Sequence, residues 1–381
     1  MNYDILIRNG HVIDTTVGLN ARKDIAILGN RIVDIENGTI NAQHYVNAEG
    51  CYVFPGLIDY HTHIYYGGSE FAVNPDLLLP FGVTSTVDAG TCGYANFEVF
   101  YRNIVINSLL KIKSYLSVNP GGLFDPKYHV NYYSEFFNAP RIKRLKDKYR
   151  DQILGLKIMM SKVNVGEYGL DLLEATIALA EEIGDMNVVV HTTNPPCKAE
   201  EIADRLRPGD VFCHCFSGTG STILEENEKI SDKIIKAKNR GVIFDASNGI
   251  SHYSHEVAEA AISQGFNPDI ISTDIVSYAL NTSNRTRSLP HLMSKYLGLG
   301  LDLNTIIKSV TETPARIMKM NGTIGTLKTG AVADVTIMKI IDKKVLFEDI
   351  NNTYREYNKL FVPQMTICDG VVVYSYPEFN I

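Results

Sequence analysis

The chain of 381 residues lacks an apolar run long enough to cross a membrane and lacks a long run of charges of one sign. A membrane-spanning helix needs about 20 apolar residues, and no stretch approaches that length. The N-terminal residues include Asp4 and Arg8 and have no apolar core of the kind found in a signal peptide. We therefore expect a protein that does not act in or on a membrane.

Cysteine is sparse, and its spacing offers no disulfide framework. The six cysteines are scattered at positions 51, 92, 197, 213, 215 and 368. In a chain of this size the pattern is typical of reduced thiols in the cytosol, so we expect a cytoplasmic protein. The net charge of -7 disfavours nucleic acid as a partner. We expect a small-molecule substrate, no nucleic acid and a homo-oligomeric assembly.

Short β-strands are predicted at both ends of the chain. Runs such as 5–7, 25–27 and 335–338 are rich in β-branched residues and are separated by turn dipeptides such as Asn-Gly. Neither end offers enough strands for a stable sheet of its own. The prediction is therefore one small β-sandwich that residues 1–55 and 323–381 build together.

The middle of the chain, residues 56–322, alternates apolar runs with helical patterns such as 171–183 and 255–264. This alternation predicts an α/β fold, and the count of eight runs favours a closed (β/α)₈ TIM barrel over an open doubly wound sheet. The eight runs are 57–63, 83–89, 114–119, 154–160, 187–191, 211–215, 242–246 and 271–274.

Polar side chains stand toward the C-terminal ends of five of these runs, where a barrel forms its active site. Residues two apart on a strand share a face, so a His-x-His pair points into the barrel and Asp59 faces inward one step lower. Imidazoles and a carboxylate are suitable metal ligands. The alternatives are hydrogen-bonded histidines in a polar pocket and an aspartate that caps a loop. The six candidates are His61, His63, Lys157, His191, His214 and Asp274.

Lys157 lies in an apolar run that does not favour a free ammonium. Burial favours the neutral amine, which can add carbon dioxide and become a carbamate, an anionic ligand able to bridge two metals. At such a site, the negative charges of a carbamate, ionised Asp274 and a hydroxide would offset the charge of two divalent ions and leave a net charge of about +1. A buried, salt-bridged lysine is the alternative.

In the Cys-His-Cys string, strand alternation points Cys213 and Cys215 away from His214, so we expect both thiols to pack between barrel and helices.

The ordered set of four histidines, a lysine on the fourth strand and an aspartate on the eighth resembles the amidohydrolase superfamily, and the resemblance covers nearly the whole chain. Segments 54–59, 82–90, 311–316 and 325–334 resemble its strand entries and its exit into the sandwich. Within the superfamily, the deacetylase branch, also called dihydroorotase-like, is similar to this chain. Some of its members remove acetyl groups from acetylated 2-hydroxy acids such as acetyl-(R)-mandelate. The segments that carry this second likeness are 214–218, 240–245 and 265–274.

The resemblance implies two divalent metal ions, with zinc preferred, although manganese, cobalt, nickel and iron accept the same ligands. His61, His63 and Asp274 would hold one ion, and His191 and His214 the other. Lys157, carrying a carbamate derived from CO2 (N6-carboxylysine), would bridge them. A metal-bridging hydroxide would attack the acyl carbon, with Asp274 as general base and then general acid.

Substrate contacts are less directly indicated. Residues 246–249 (Ala-Ser-Asn-Gly) stand where the resemblance leads us to expect Gly-His-Gly, which makes Asn248 a candidate. His252 or His255 would replace the missing histidine. Arg285 and Arg287 offer bidentate contacts to a substrate carboxylate, with a surface position as the alternative. Apart from that possible replacement, four histidines are expected at the surface or as helix caps rather than as extra ligands, namely His129, His252, His255 and His291.

The sequence therefore predicts a binuclear, zinc-dependent hydrolase that cleaves an ester or amide acyl bond of a small carboxylated substrate. Deacetylation of an acetylated 2-hydroxy or amino acid is preferred. A cyclic-amide hydrolase of the dihydroorotase or hydantoinase kind is the first alternative. A non-catalytic scaffold would lack ligands that this chain has, and a mononuclear deaminase would lack Lys157. The aromatic-rich segment 119–140 is predicted to form either a lid or an oligomer contact.

Overall fold

Apolar, β-branched runs in the middle of the chain form one curled parallel sheet. The computed structural model describes residues 2–35, 41–125 and 132–379. The seven strands between residues 57 and 245 pair in chain order, and every neighbouring pair is parallel. The strands are β1 Asn2–Arg8, β2 His11–Asp14, β3 Leu19–Arg22, β4 Ile25–Leu28, β5 Arg31–Val33, β6 Asn41–Asn47, β7 Tyr52–Pro55, β8 Leu57–Thr62, β9 Val83–Gly93, β10 Lys111–Ser117, β11 Ile153–Met159, β12 Asn187–His191, β13 Val211–Cys213, β14 Ile243–Asp245, β15 Val335–Glu348, β16 Tyr354–Cys368 and β17 Val371–Ser375.

The eighth predicted run closes this sheet without forming a regular strand. Ile270 forms a parallel bridge to Asp245 of β14, and Ile275 forms one to Thr62 of β8. The backbone N–H of Asp274 also donates to the carbonyl oxygen of His61 at 2.7 Å. The first and last strands of this sheet, β8 and β14, are thus joined through the segment 270–275. The prediction of an α/β barrel is confirmed.

Helices cover the outside of the barrel because each buries one apolar face. In α4, for example, Leu172, Thr176, Leu179 and Ile183 recur at helical spacing and are buried, and the helix ends before Gly184. No helix in the described part of the chain is long and apolar enough to span a bilayer. The α-helices are α1 Phe97–Asn103, α2 Ala139–Lys148, α3 Lys162–Val165, α4 Gly169–Ile183, α5 Ala199–Arg205, α6 Asp232–Arg240, α7 His255–Ser263, α8 Leu289–Gly298, α9 Leu303–Val310 and α10 Glu312–Ile317.

The barrel interior beneath the strand ends is filled by side chains. Tyr60 and Tyr115 meet there through their hydroxyl groups, 2.5 Å apart, and both are buried with Val189. The prediction that Asp59 faces inward one step below the histidines is wrong. Its carboxylate accepts hydrogen bonds from the backbone N–H and the hydroxyl of Thr273. The pairing of β8 with β9 is irregular between Asp59 and Thr62, so alternation does not continue from Asp59 to the histidines.

Strands from both ends of the chain share one sheet, as the sequence predicts. Its order is β17-β16-β15-β7-β2-β3, and a second sheet has the order β5-β4-β1-β6. Ile5 and Ile27 of the second sheet pack against Val335 and Ile367 of the first. This joint core shows the two sheets packed face to face, whereas the division at residues 55 and 323 stays a prediction.

Candidate metal centre

The six predicted ligands lie around one cavity at the C-terminal ends of the barrel strands. The cavity has a volume of about 280 Å³, and all six side chains are buried. Strands β8, β11 and β12, the residues after β13 and the segment 270–275 converge at this point, which brings together residues more than 200 positions apart in the chain. The site residues are His61, His63, Lys157, His191, His214 and Asp274.

His61, His63 and Asp274 form a first group of donor atoms. One ligand atom from each lies within 4.8 Å of the others, and Oδ1 of Asp274 is 3.0 Å from His63 Nε2 and 3.6 Å from His61 Nε2. Burial lowers the pKa of His61 well below its usual range. The imidazole is therefore neutral, which is the form that coordinates a metal ion.

His191, His214 and His252 form a second group, again with donor atoms within 4.8 Å of one another. The His214 ring centroid lies 4.5 Å from that of His191 and 4.2 Å from that of His252. Burial lowers the pKa of all three imidazoles. The structure thus brings the predicted substrate contact His252 into the cluster, where its side chain is 20% exposed and faces the cavity.

Lys157 occupies the floor of the cavity between the two groups. Its side chain is 1% exposed, and Nζ lies 3.4 Å from His61 Nε2. Within the described ranges Lys157 forms no ion pair with a carboxylate, whereas Asp274 is paired with histidines. A buried ammonium among imidazoles is unfavourable. The alternative, a structural lysine held by a salt bridge, is therefore not supported, because the described residues provide no carboxylate that pairs with Lys157.

A further layer of hydrogen bonds orients three of the imidazoles. In each of them Nδ1 is engaged from behind, so Nε2 is directed toward the cavity, as in most histidine-ligated metal sites. Sequence analysis did not assign these partners a role, although Asp245 ends a strand as the ligands do. The contacts are His61 Nδ1 to Asp245 Oδ2 at 3.3 Å, His63 Nδ1 to Thr91 Oγ1 at 2.8 Å, and His214 Nδ1 to the Ser247 carbonyl oxygen at 2.7 Å.

A left-handed backbone conformation at His214, with φ of 59°, ends the alternation of β13. The prediction for Cys213 is wrong: it packs in the barrel interior with Val211 and Tyr115, in the regular alternation of β13, and it is His214 that departs from that alternation. Cys215 packs on the outer side as expected. The thiol of Cys213 lies within 4.8 Å of donor atoms of His61 and Asp245. Burial raises the pKa of that thiol, so it stays protonated and is a poor ligand.

The two predicted carboxylate anchors lie outside the cavity lining. Arg285 contacts Glu348 Oε1 through Nη2 at 2.8 Å and donates to the carbonyl oxygen of Ile250 at 3.0 Å. Arg287 donates to the Ser283 carbonyl oxygen and to Asn284. Both guanidinium groups are therefore already engaged in contacts with neighbouring loops and β15. The prediction that they hold a substrate carboxylate is not supported by this placement.

Asn248 is buried beside the site rather than in the cavity wall. Its side-chain oxygen accepts a hydrogen bond from the Tyr296 hydroxyl at 2.9 Å. His255 is also removed from the cavity, with Nε2 3.1 Å from the Phe347 carbonyl oxygen. His291 is buried against Phe347. These two histidines are therefore neither ligands nor surface residues.

The segment 119–140 is described only in part. His129 lies outside the described residues, and the choice between a lid and an oligomer contact stays open. On the described side, Leu123 and Asp125 line the cavity.

The donor set fits a pair of divalent cations. Neutral imidazoles and a carboxylate oxygen are the ligands that zinc prefers, and they occur in two adjacent groups. A (β/α)₈ barrel with this cluster at its strand ends defines a metal-dependent hydrolase. The sequence matches the profile of the amidohydrolase family over residues 52–373, so the chain belongs to that family.

Similar proteins support the same class, a metal-dependent hydrolase. The chain is 30% identical to a deacetylase of Enterococcus faecalis over 98% of this chain and 99% of the relative. It is also 30% identical to a deacetylase of Brucella anthropi, over 84% and 80% of the two chains. A crystal structure of an adenine deaminase superimposes with a TM-score of 0.88 at 28% identity, covering 98% of this chain and 100% of that one. A crystal structure of a dihydroorotase gives 0.85 at 27% identity, covering 98% and 99%.

Proposed function

We propose that this protein is a binuclear, zinc-dependent deacetylase that hydrolyses an ester or amide acyl bond of a small molecule. The observation that carries the proposal is the buried lysine between two groups of donors, because a mononuclear site has no use for it. Deacetylation is favoured over other acyl hydrolysis because two relatives named deacetylases are each 30% identical to this chain over most of its length.

His61, His63 and Asp274 would hold one cation and His191 and His214 the other, with carbamylated Lys157 between them. When bound, the pair of ions supplies Lewis acidity, which polarises the acyl carbonyl and lowers the pKa of a water from about 15.7 toward 7. Asp274 has its two carboxylate oxygens in different surroundings. Oδ1 faces His61 and His63, whereas Oδ2 lies 3.6 Å from His252 Nε2.

This division suits Asp274 to proton transfer. With Oδ1 engaged by the ligand cluster, Oδ2 is the oxygen that accepts a proton from the attacking water and returns it to the leaving oxygen or nitrogen. His252 stands on the same side and is held by Thr193 Oγ1, which is 2.8 Å from His252 Nδ1. We assign His252 to positioning the substrate beside Oδ2, in place of the histidine missing from residues 246–249.

Replacing His252 by Asn tests this assignment. We expect kcat/KM to fall by about 10- to 100-fold, the usual effect of losing a supporting group at a metal site, while the bound metal content stays unchanged. Thr193→Val, which removes only the hydrogen bond that holds the ring, serves as the matched variant and should show a smaller effect in the same direction. Loss of one metal equivalent in His252→Asn, measured by elemental analysis, would instead make His252 a ligand.

The reaction class is tested by a substrate screen. We expect acetate release from acetylated hydroxy or amino acid derivatives and no ring opening of dihydroorotate or hydantoins. The cyclic-amide hydrolase remains the second candidate because a dihydroorotase shares the fold at 27% identity. Turnover of the ring substrates alone would establish that candidate, and ammonia release from adenine alone would establish a deaminase.

We also propose a cytoplasmic homo-oligomer. The scattered cysteine pattern, with all six thiols free in the structure, supports the cytoplasmic location alone. Light scattering of the purified protein would reveal its mass in solution, and a monomeric mass would overturn the second part of this proposal.

A further inference from the structure

The loop that follows β14 forms part of the cavity wall and is tethered on both sides of His252. Ile250 and His252 line the cavity. The carbonyl oxygen of Ile250 accepts a hydrogen bond from Nη1 of Arg285 at 3.0 Å. The carbonyl oxygen of Tyr253 accepts one from the backbone N–H of Ile350 at 3.1 Å. His252 therefore stands between two residues that are held from outside the cavity.

Arg285 joins this loop to the end of β15 and to the turn that follows it. Its Nε and Nη2 donate to Oε1 of Glu348 at 3.2 and 2.8 Å, and Nη2 also donates to Oδ1 of Asn352 at 2.7 Å. The exposed fractions of the Arg285 and Glu348 side chains are 24% and 19%, so salt screens this ion pair less than it screens a surface pair. The contacts of Arg285 with Ile250, Glu348 and Asn352 form an arginine clamp.

A guanidinium group is suited to this clamp because its planar fork presents several donors in fixed directions. The backbone of the arginine is held as well. Nζ of Lys295 donates to the carbonyl oxygen of Arg285 at 3.0 Å. The adjacent Thr286 donates through Oγ1 to the carbonyl oxygen of Thr273 at 3.3 Å, next to Asp274. The clamp thus ties the segment that follows Asp274 to the loop that carries His252.

The two side chains that this arrangement connects face each other in the cavity. Nε2 of His252 lies 3.6 Å from Oδ2 of Asp274. A reaction that needs a substrate between such groups is sensitive to their spacing, because a displacement of about 1 Å can cost about 10²-fold in rate. The position of the His252 loop is therefore a determinant of how well a substrate is held beside Asp274.

We infer that Arg285 is a positioning residue, which together with Glu348 fixes the loop of Ile250 and His252 relative to Asp274. The inference rests on the proposed deacetylase function and on the role of His252 in it. It gives Arg285 a role that acts through the cavity wall, in place of the direct contact with a substrate carboxylate that the sequence predicts.

A double-mutant cycle on the metal-loaded full chain tests this inference. Arg285→Met removes the donors of the clamp, and we expect kcat/KM for O-acetylmandelate or N-acetylalanine to fall by about tenfold, mainly through KM, with unchanged metal content. Because the clamp acts through His252, adding Arg285→Met to His252→Asn should cause little further loss. A double variant whose loss equals the product of the two single losses would overturn the inference.

The matched control is a second ion pair that holds the same β15–β16 hairpin. Arg355 of β16 contacts Glu259 of α7, with Nε and Nη2 at 2.7 and 3.0 Å from the carboxylate oxygens, and neither residue is among the described residues that line the cavity. Glu259→Gln should leave kcat/KM unchanged. An equal loss in Glu259→Gln would contradict a specific role of Arg285. Glu348→Gln should act in the same direction as Arg285→Met, and it takes that variant's place in the cycle if Arg285→Met does not fold.

Hydrogen exchange separates the clamp from the proposed activity. In Arg285→Met, or in Glu348→Gln, the backbone amides of residues 249–254 should exchange faster than in the unmodified protein and in Glu259→Gln, because the loop has lost a tether. If the unmodified protein cleaves neither acetylated compound, the deacetylase proposal fails, and the exchange result alone decides whether the clamp holds the loop. Unchanged exchange of these amides would overturn the inference whatever the activity.

Discussion

Replacing Lys157 by Ala is expected to abolish most of the activity and the binding of one of the two proposed metal ions. The expected loss in kcat exceeds the roughly 10- to 100-fold that follows removal of a group behind a ligand, because the bridging ligand itself is gone. The alanine variant should fold, since the substitution breaks no ion pair of Lys157 with a carboxylate in the described part of the chain, and its hydrogen-bond contact there is with His61. Metal content and kcat are measured on the same preparation.

Short carboxylic acids restore part of this activity. Acetate or propionate fits the space left by the deleted side chain and supplies two anionic oxygens, as the carbamate would. Acetamide at the same concentration is the matched control, because it has the shape of acetate without its charge and should not rescue. Lys162→Ala, at an exposed position of α3, controls for general effects of removing a lysine. Full activity in untreated Lys157→Ala would refute the bridge.

Asp274→Asn has the second large effect. The amide retains the size of the side chain and one ligand oxygen, but it cannot accept a proton at Oδ2. We expect kcat to fall by about 10²- to 10⁴-fold, the range for loss of general acid–base catalysis, with a much smaller change in KM. Steady-state kinetics and elemental analysis check the two parts of this prediction.

The comparison variant is Asp245→Asn, which acts through His61 rather than on the substrate. Its carboxylate lies 3.3 Å from His61 Nδ1, so its loss should weaken metal binding by about 10- to 100-fold and be compensated by added metal. Asp274→Asn should not recover in this way. Recovery of full activity by Asp274→Asn in excess zinc would assign Asp274 a ligand role only.

The barrel and the six clustered side chains were predictable because both depend on local signals. Apolar runs of strand length predict the sheet, and a polar residue at the end of a parallel strand must lie at the shared edge. His191 and His214 meet for this reason, although loops and helices separate them along the chain. The amidohydrolase resemblance added the pairing of the ligands with two ions.

Features that depend on irregular backbone were not predictable. The left-handed conformation of His214 takes this side chain out of the alternation that Cys213 still follows, and an irregular pairing between Asp59 and Thr62 takes the histidine pair out of step with Asp59. Period-two reasoning fails at both points because it assumes an unbroken strand.

Contacts between charged residues far apart in the chain could not be predicted from the sequence either. Glu348 lies 63 positions after Arg285, and nothing near that arginine in the sequence indicates that β15 holds its guanidinium. The same limit applies to the support for His61, since Asp245 follows it by 184 positions. Such partners become visible only when the strands are assembled.

A crystal structure of the metal-replete protein, with anomalous diffraction recorded at the metal edge, tests the central claim most directly. We expect two anomalous peaks, one beside His61 and His63 and one beside His191 and His214, with additional density extending from Lys157 Nζ to both. A single peak, or none, together with an ordinary ammonium at Lys157, would contradict it.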